Sequence, residues 1–327
     1  MDIRDKNKAL ELLLNNKALI ILLLLCAGCS LAAPHFLSVV NLRNVIRQIS
    51  TSAMIGIGFT CVIASGNLDL SVGYMLGMLG VLMGLLSKTW MPFPLVIFLG
   101  FLAGGLCGFF NGIIGIHFKL PLFIVTLATG QMYKGICYLA SNTSPVSGLP
   151  AAFKTAGQGY AGPIPIPVCI VTIAAILIYL ILNRTAFGRY AIATGGNREA
   201  ARASGIDTDF ITVAIYALMG LCTAGAAVIM TGRAASAQPT AGQGMEMDAI
   251  AAVVIGGTPL SGGKGKVMGT VFGCLIVGVI NNFLNLSRVD SNWQQIAKGM
   301  LILTAVLLDV VTENYFQHRL KKATRRF

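Results

Sequence analysis

Apolar runs of about twenty residues, the length a helix needs to cross a bilayer, alternate with short polar connections along most of the chain. They predict helices over 18–33, 45–65, 71–87, 94–116, 121–140, 166–182, 210–231, 247–257, 267–286 and 294–312, about ten crossings in all. The runs are continuous rather than alternating, which argues against a β-barrel. The chain therefore reads as an all-α polytopic membrane protein, a single domain over 1–327 with tails at 1–17 and 313–327. The eighth run is the weakest. Only about ten residues, 248–257, precede a glycine cluster, so a broken or half helix is expected there.

Two glycine-rich breaks interrupt the apolar pattern, SGNLDLSVG at 65–73 and GGTPLSGGKGK at 256–266. Each contains Leu then Ser and leads into a helix with glycines four apart. They read as a weak internal repeat whose offset of six helices implies the same orientation. The glycine stripes are Gly73/Gly77 and Gly80/Gly84, then Gly100/Gly104/Gly108/Gly112, then Gly265/Gly269/Gly273. Small residues at this spacing let helix backbones approach closely where lipid supplies no hydrophobic drive. Packing within one chain is the expected use of each stripe, a dimer interface the alternative.

Composition agrees with the pattern: 55% of residues are hydrophobic and 11% charged, against about 25% charged in an ordinary soluble domain. The net charge of +12 forms no basic face interleaved with aromatics, so nucleic acid is not an expected partner. It follows topology instead. With both termini inside, sixteen Lys and Arg fall on the inner side and six on the outer, which fixes the orientation. The inner clusters would also meet anionic lipid headgroups. All eight cysteines lie in or beside apolar spans and read as packing residues. Cys26 and Cys29 sit in a run resembling a lipoprotein leader, but 18–33 reads as an uncleaved first span.

One polar island stands apart, NRTAFGRYAIATGGNREAARASGIDTD at 183–209, with Arg184, Arg189, Arg198 and Arg202. It belongs to the inner side. Asn197 can cap a short helix through Glu199, Ala200 and Arg202, and Gly205 can end it in the left-handed conformation. Two turns are too few to hold their shape alone in water, so this helix should be docked.

The glycine break at 256–266 fails as a phosphate loop: five residues before Gly263 stands Thr258, and Lys264 is followed by Gly265. The chain is expected to bind no cofactor and to leave ATP to a partner. Ionisable and polar groups inside the spans are candidates for a translocation path or gate. Asp69 would accept from the amide of Ser71 as a cap, or meet solute. Glu246 and Asp248, placed at the outer face, would cap the eighth helix, line an entrance or steer a partner. Lys134 and Lys298 would snorkel or pair. Asn281, Asn282 and Asn285 form a polar face that would serve a hydroxyl-rich solute or bond between helices. His35, His117 and His318 have no ligand spacing, and no catalytic or metal constellation assembles. The outer loop at 141–165, rich in Pro, Gly and Ser, is a candidate surface for an external partner.

The ordered segments VIASGNLDLSVG, NGIIGIHFKLPLFIVTLATGQMYKG, GRYAIATGGNREAARASGI and SAQPTAGQGMEMDAIAAVVIGGTPLSGGKGKVMGTVFG resemble the permease subunits of ribose-type monosaccharide ATP-binding-cassette importers, over about residues 38–310. Relatives with permease roles for xylose, galactose and autoinducer-2 share the pattern. The resemblance implies a permease dimer, of one chain or two similar ones, in the bacterial cytoplasmic membrane. It also implies an ATP-binding subunit beneath and an extracytoplasmic sugar-binding protein above. In this resemblance the island is the segment that contacts the ATPase, carried by Arg189, Gly195, Gly196, Asn197, Glu199, Ala200, Ser204 and Gly205. Met245 and Met247 depart from the tyrosine and leucine common there. An ion-coupled secondary transporter is the rival reading, and would need an intramembrane pairing of Lys134 or Lys298 with a carboxylate. A membrane anchor or sensor is another, and would need an appended soluble domain.

Overall fold

The computed structural model describes residues 17–324. Thirteen helices follow one another: α1 Lys17–Ala32, α2 Val39–Ala64, α3 Val72–Leu86, α4 Phe93–His117, α5 Leu122–Ser141, α6 Ala151–Gln158, α7 Ile166–Arg184, α8 Ala186–Gly196, α9 Arg198–Ala203, α10 Thr208–Ala234, α11 Met245–Ile255, α12 Val267–Leu286 and α13 Ser291–Thr324. A two-residue hairpin, β1 Tyr160–Ala161 and β2 Ile164–Pro165, sits between α6 and α7. Each of the ten predicted spans coincides with a helix. Five of them, α2, α4, α7, α10 and α12, are long and apolar enough by themselves to cross a membrane, and α1 and α3 are shorter apolar helices. The fold is all-α and multi-pass. The basic N-terminal positions Arg4, Lys6 and Lys8 lie outside the described residues. The stretch expected as a tail from 313 instead continues α13 as helix through Thr324.

The glycine stripes explain the tight centre. Along α4, Gly104, Gly108 and Gly112 press onto α10, where a Cβ would overlap the carbonyls of Gly220 and Tyr216 or crowd Val213. Its other face carries Phe98, Leu102, Leu106 and Phe110, all exposed, as a lipid-facing surface requires. On α12, Gly269 and Gly273 meet the backbone of Gly256 and Ala252 around α11. These stripes pack within the chain, as expected. Replacing Gly108 by Val forces backbone against backbone and should cost about 1–3 kcal/mol. The check is thermal unfolding of the solubilised protein against Gly135→Ala, where open space surrounds the site.

Contact registers give the directions of the helices. Gly58 faces Met219 and Cys222 while Gly225 faces Met54, so α2 and α10 run antiparallel through the core. Gly130 faces Ser71 and Lys134 faces Tyr74, so α3 and α5 run parallel.

Two stretches leave the helical pattern at depth. After α2 the chain turns back through 65–71 before α3 starts. After α10 it turns back through 235–244, from the hairpin side, before α11 starts. This second stretch covers the glycine face of α3: Gly84 meets Ala237, Gly77 meets Pro239 and Ala241, and Gly73 meets Gly242. Ala237 to Gly242 thus lies along α3 from Gly84 to Gly73, as a run of turns rather than a strand. Gly242, at φ +86, supplies a left-handed turn where the chain touches Gly73 and Leu76.

The two stretches turn back from opposite ends of the bundle, with five crossings between them.

The loop at 141–165 holds more structure than its composition suggests. Helix α6 packs on the end of α10, where Gly157 fits only as glycine against Gly232 and Arg233. Gln158 Nε2 donates to the Arg233 carbonyl at 2.9 Å, and Arg47 Nη2 donates to the carbonyl of Gln158 at 2.5 Å. Arg47 and Arg43 stack on Tyr160 of the hairpin.

Candidate functional site

The island folds as two helices, α8 and α9, rather than one. The first was missed because Ala186–Gly196 carries too few apolar residues to stand out beside the spans. Thr185 Oγ1 caps it by accepting from Gly188 N at 3.3 Å. The second forms as the sequence predicts. Asn197 Oδ1 accepts from Ala200 N at 2.9 Å. At the other end Gly205 takes φ +85, donating to the Arg202 carbonyl at 3.0 Å while Ile206 donates to that of Ala201 at 3.1 Å. Ser204 Oγ donates back to the Ala200 carbonyl at 2.9 Å.

Charge fixes this short helix against the next. Arg198 and Arg202, one turn apart, both reach Asp209 Oδ1, at 2.8 and 2.7 Å. Arg189, Glu199 and Ala200 are exposed. Among the described residues Glu199 has no hydrogen-bond or ion-pair partner, so it presents a free carboxylate on the outermost face. A groove of about 400 Å³ beside it is lined by Asn67, Lys119, Arg198, Arg202 and Asp209 among others.

The end of α8 meets both glycine breaks. A Cβ on Gly195 would overlap the Ala64 carbonyl oxygen and Ser65, while Gly262 packs on Gly195 and Gly66 together. Gly263 N donates to that same Ala64 oxygen at 2.9 Å. Three backbones from distant parts of the sequence therefore touch at one point, with no side chain between them. Gly196 is looser, its nearest neighbour being the Gly263 Cα at 3.8 Å.

The first break continues inward as a buried polar chain. Asp69 Oδ1 accepts from Ser71 N at 3.0 Å and from Ser71 Oγ at 2.6 Å. Ser71 Oγ accepts from Asn111 Nδ2 at 2.9 Å, and Asn111 Oδ1 accepts from Tyr133 OH at 3.1 Å. Leu70 N donates to Thr126 Oγ1, and Tyr216 OH donates to the Leu68 carbonyl at 2.7 Å. Asp69 is fully buried and its Oδ2 has no partner. The capping role read for Asp69 is present, but Asn111, Tyr133 and Tyr216 were not foreseen, since each comes from a different helix. Ser71 packs at Gly130, eight residues into α5, so α3 begins about 12 Å along that helix.

Glu246 and Asp248 are not at the outer face. The non-helical stretch 235–244 carries them inward, and both stand in the first turn of α11. Glu246 Oε2 is buried without a partner beside Gly73, where any side chain would collide with it. Asp248 Oδ2 accepts from Lys298 Nζ of α13 at 2.8 Å. Sequence spacing hid this pairing, because fifty residues separate the two. Among the described residues Lys134 has no carboxylate partner; its ammonium lies over Tyr74 and Tyr138, 5.4 and 5.8 Å from the ring centres.

The three asparagines of α12 diverge. Asn282 exchanges two hydrogen bonds with Asn41 of α2, at 2.9 and 3.0 Å, and Asn285 accepts from Gln294 Nε2 at 3.0 Å. Bonding between elements accounts for these two. Asn281 Oδ1 is buried and has no partner. Among the described residues no cluster of His, Cys, Asp or Glu could hold a metal ion, and each of the eight cysteines is free.

Re-entrant breaks, a capped and charged island at one end and polar groups threaded between the helices are features a membrane transport protein would use. Comparison with known proteins gives the family: the branched-chain amino acid transport system / permease component family matches residues 41–306. The chain belongs to it, and is the membrane-spanning permease subunit of an ATP-binding-cassette importer. It is 42% identical to the ribose import permease protein of Haemophilus influenzae over 91% of this chain and 93% of that one. It is 42% identical to the ribose import permease protein of Bacillus subtilis, over 86% and 88%. The xylose transport system permease protein of Haemophilus influenzae is 32% identical over 84% and 90%. No solved structure matches the chain. Membership answers the rival reading: the Asp248–Lys298 pair that an ion-coupled transporter would need is present, in a chain whose family is a different kind of transporter.

Proposed function

We propose that this permease imports a monosaccharide, D-ribose first among candidates, across the bacterial cytoplasmic membrane. Permeases for ribose, allose, fructose and xylose among the similar proteins support a sugar. Autoinducer-2 is the second candidate solute. The island end faces the cytoplasm, which puts both termini there, and the hairpin end receives the extracytoplasmic sugar-binding protein. A second permease chain, identical or similar, completes the path, and lipid surrounds the pair. The chain binds no nucleotide; ATP is bound and hydrolysed by a separate subunit docked on α9, through Arg189, Gly195, Gly196, Asn197, Glu199, Ala200, Ser204 and Gly205.

One observation carries the coupling role. The end of α8 at Gly195 touches both breaks, so displacing it together with α9 moves the end of α2 and the 256–266 break together. Nucleotide-driven movement of the partner thus reaches the two places where the helical frame is interrupted, and the helices rock between outward and inward access. Asp69, Ser71, Glu246, Asp248, Asn281 and Asn285 remain the proposed path or gate residues, with Asn285 the weakest member because Gln294 occupies it.

Changing Glu199 to lysine tests the docking face. Lys at a helix N-terminus costs about 0.3–1 kcal/mol, too little to unfold the chain. ATP-driven ribose uptake should fall at least about tenfold in Glu199→Lys while Glu199→Gln keeps part of it. Full uptake with the lysine in place, and the ATPase still co-purifying, would remove α9 from the coupling role.

A further inference from the structure

Beyond the groups already placed, a cavity of about 700 Å³ opens between the turns at 240–244, the start of α11 and the first turns of α13. This is within the range of small-molecule sites, about 300–1,000 Å³. Thr240, Gln243, Asp248, Gln295 and Lys298 face it. Among the described residues the side chains of Thr240, Gln243 and Gln295 make no hydrogen bond within the protein, so their donors and acceptors are free. The two ionic members are already paired with each other at 2.8 Å. The lining therefore offers three free polar side chains beside the apolar Met245, Met247 and Ile302, and no net charge. That chemistry suits a neutral, polyhydroxylated solute and disfavours an anion or a cation.

The floor is distinctive. Asp248 and Lys298 also wall a second, far smaller void that reaches Asn281, whose buried Oδ1 lacks a partner. The ion pair is thus the partition between the wide cavity and a polar group below it. An ion pair is an expensive partition inside a membrane protein, where apolar side chains would close a gap at lower cost. Its use makes sense where hydroxyl groups must exchange with the pair: a carboxylate oxygen can accept from a solute hydroxyl as an ammonium hydrogen is given to another.

We propose that this cavity is a solute-contact site of the permease, in which Thr240, Gln243 and Gln295 hold a neutral polyol against the Asp248–Lys298 floor before it passes toward Asn281. The inference rests on the sugar-import reading and adds the residues that meet the sugar inside this chain.

The test uses the full permease in proteoliposomes with its ATP-binding partner and sugar-binding protein. It reads radiolabelled D-ribose moved per ATP hydrolysed. A fault in assembly lowers transport and hydrolysis together, whereas lost solute contacts lower only their ratio. Gln243→Ala with Gln295→Ala should lower the ratio about tenfold, the loss of two hydrogen bonds, with hydrolysis stimulated by the loaded binding protein unchanged. Thr240→Val, a single isosteric change, should lower it severalfold and stands in if the double variant does not reach the membrane. A ratio within twofold of the unmodified protein in these variants overturns the proposal. Wild-type protein that moves a different neutral polyol but no ribose overturns the choice of sugar alone, and the same ratio measured with that polyol then judges the cavity. Transport of charged solutes only overturns both.

Discussion

A single methyl group at position 195 will stop transport, while one at position 196 will be tolerated. Alanine at 195 places its Cβ inside the Ala64 carbonyl and the Ser65 carbonyl carbon, both backbone atoms that no rotamer change can clear. The Ala64 oxygen also holds Gly263, so it cannot retreat without breaking a 2.9 Å bond to the second break. The end of α8 must therefore lift away from both. Overpacking of this kind costs about 1–3 kcal/mol, too little in itself to unfold a domain of this size. The functional loss should be larger than the stability loss, because the contact that transmits movement is the one removed. Ribose uptake is expected to drop at least about tenfold in Gly195→Ala, with a modest fall in melting temperature. Gly196→Ala should behave as the unmodified protein does. Equal uptake in the two variants would remove the Gly195 contact from the coupling path.

The second large effect concerns Asp248 and Lys298. Asp248→Leu leaves an ammonium without its partner in the interior of the helix bundle. Removing one member of a buried pair costs about 3–5 kcal/mol. The Lys298 side chain keeps 36% exposure toward the cavity, and solvent there brings the expected loss to about 2–3 kcal/mol. Adding Lys298→Met should restore most of it, since two apolar groups need no partner. Melting temperatures of the two single variants and the double give the coupling energy directly. The doubly apolar protein should melt near the unmodified one yet move little ribose per ATP. Additive losses across the cycle would mean that the pair contributes no mutual stabilisation.

What the sequence revealed is what short segments decide for themselves. The apolar runs located ten helices, because hydropathy over twenty residues needs no knowledge of neighbours. Asn197 and Gly205 were legible as caps because cap bonds reach only three to five residues along the chain. Asp69 was legible for the same reason, its partner Ser71 being two residues away. The Asp248–Lys298 pair, the Asn41–Asn282 exchange and the Asn111–Tyr133 contact were not, because each needs two helices already packed.

The misplacement of Glu246 and Asp248 is the most instructive. SAQPTAGQG has the composition of a surface turn, and nothing in it states its depth. The signal lay elsewhere, in Gly73, Gly77, Gly80 and Gly84 of α3. A face of glycines over eleven residues lets a partner's backbone lie directly against the helix.

The non-helical stretch along α3 has an electrical consequence. Backbone without helical bonds survives at such depth only when protein or water satisfies it, and Gln243 and Gly244 open onto the wide cavity. Water filling that cavity would shorten the insulating layer to about the thickness of α11. A lone charge at that level would feel about 2.3 kcal/mol per 100 mV for a full traverse. Asp248 and Lys298 present opposite charges 2.8 Å apart, and whatever they shift together carries almost no gating current. On the sugar-import reading, a neutral cargo over a neutral floor leaves import indifferent to how strongly the cell is polarised.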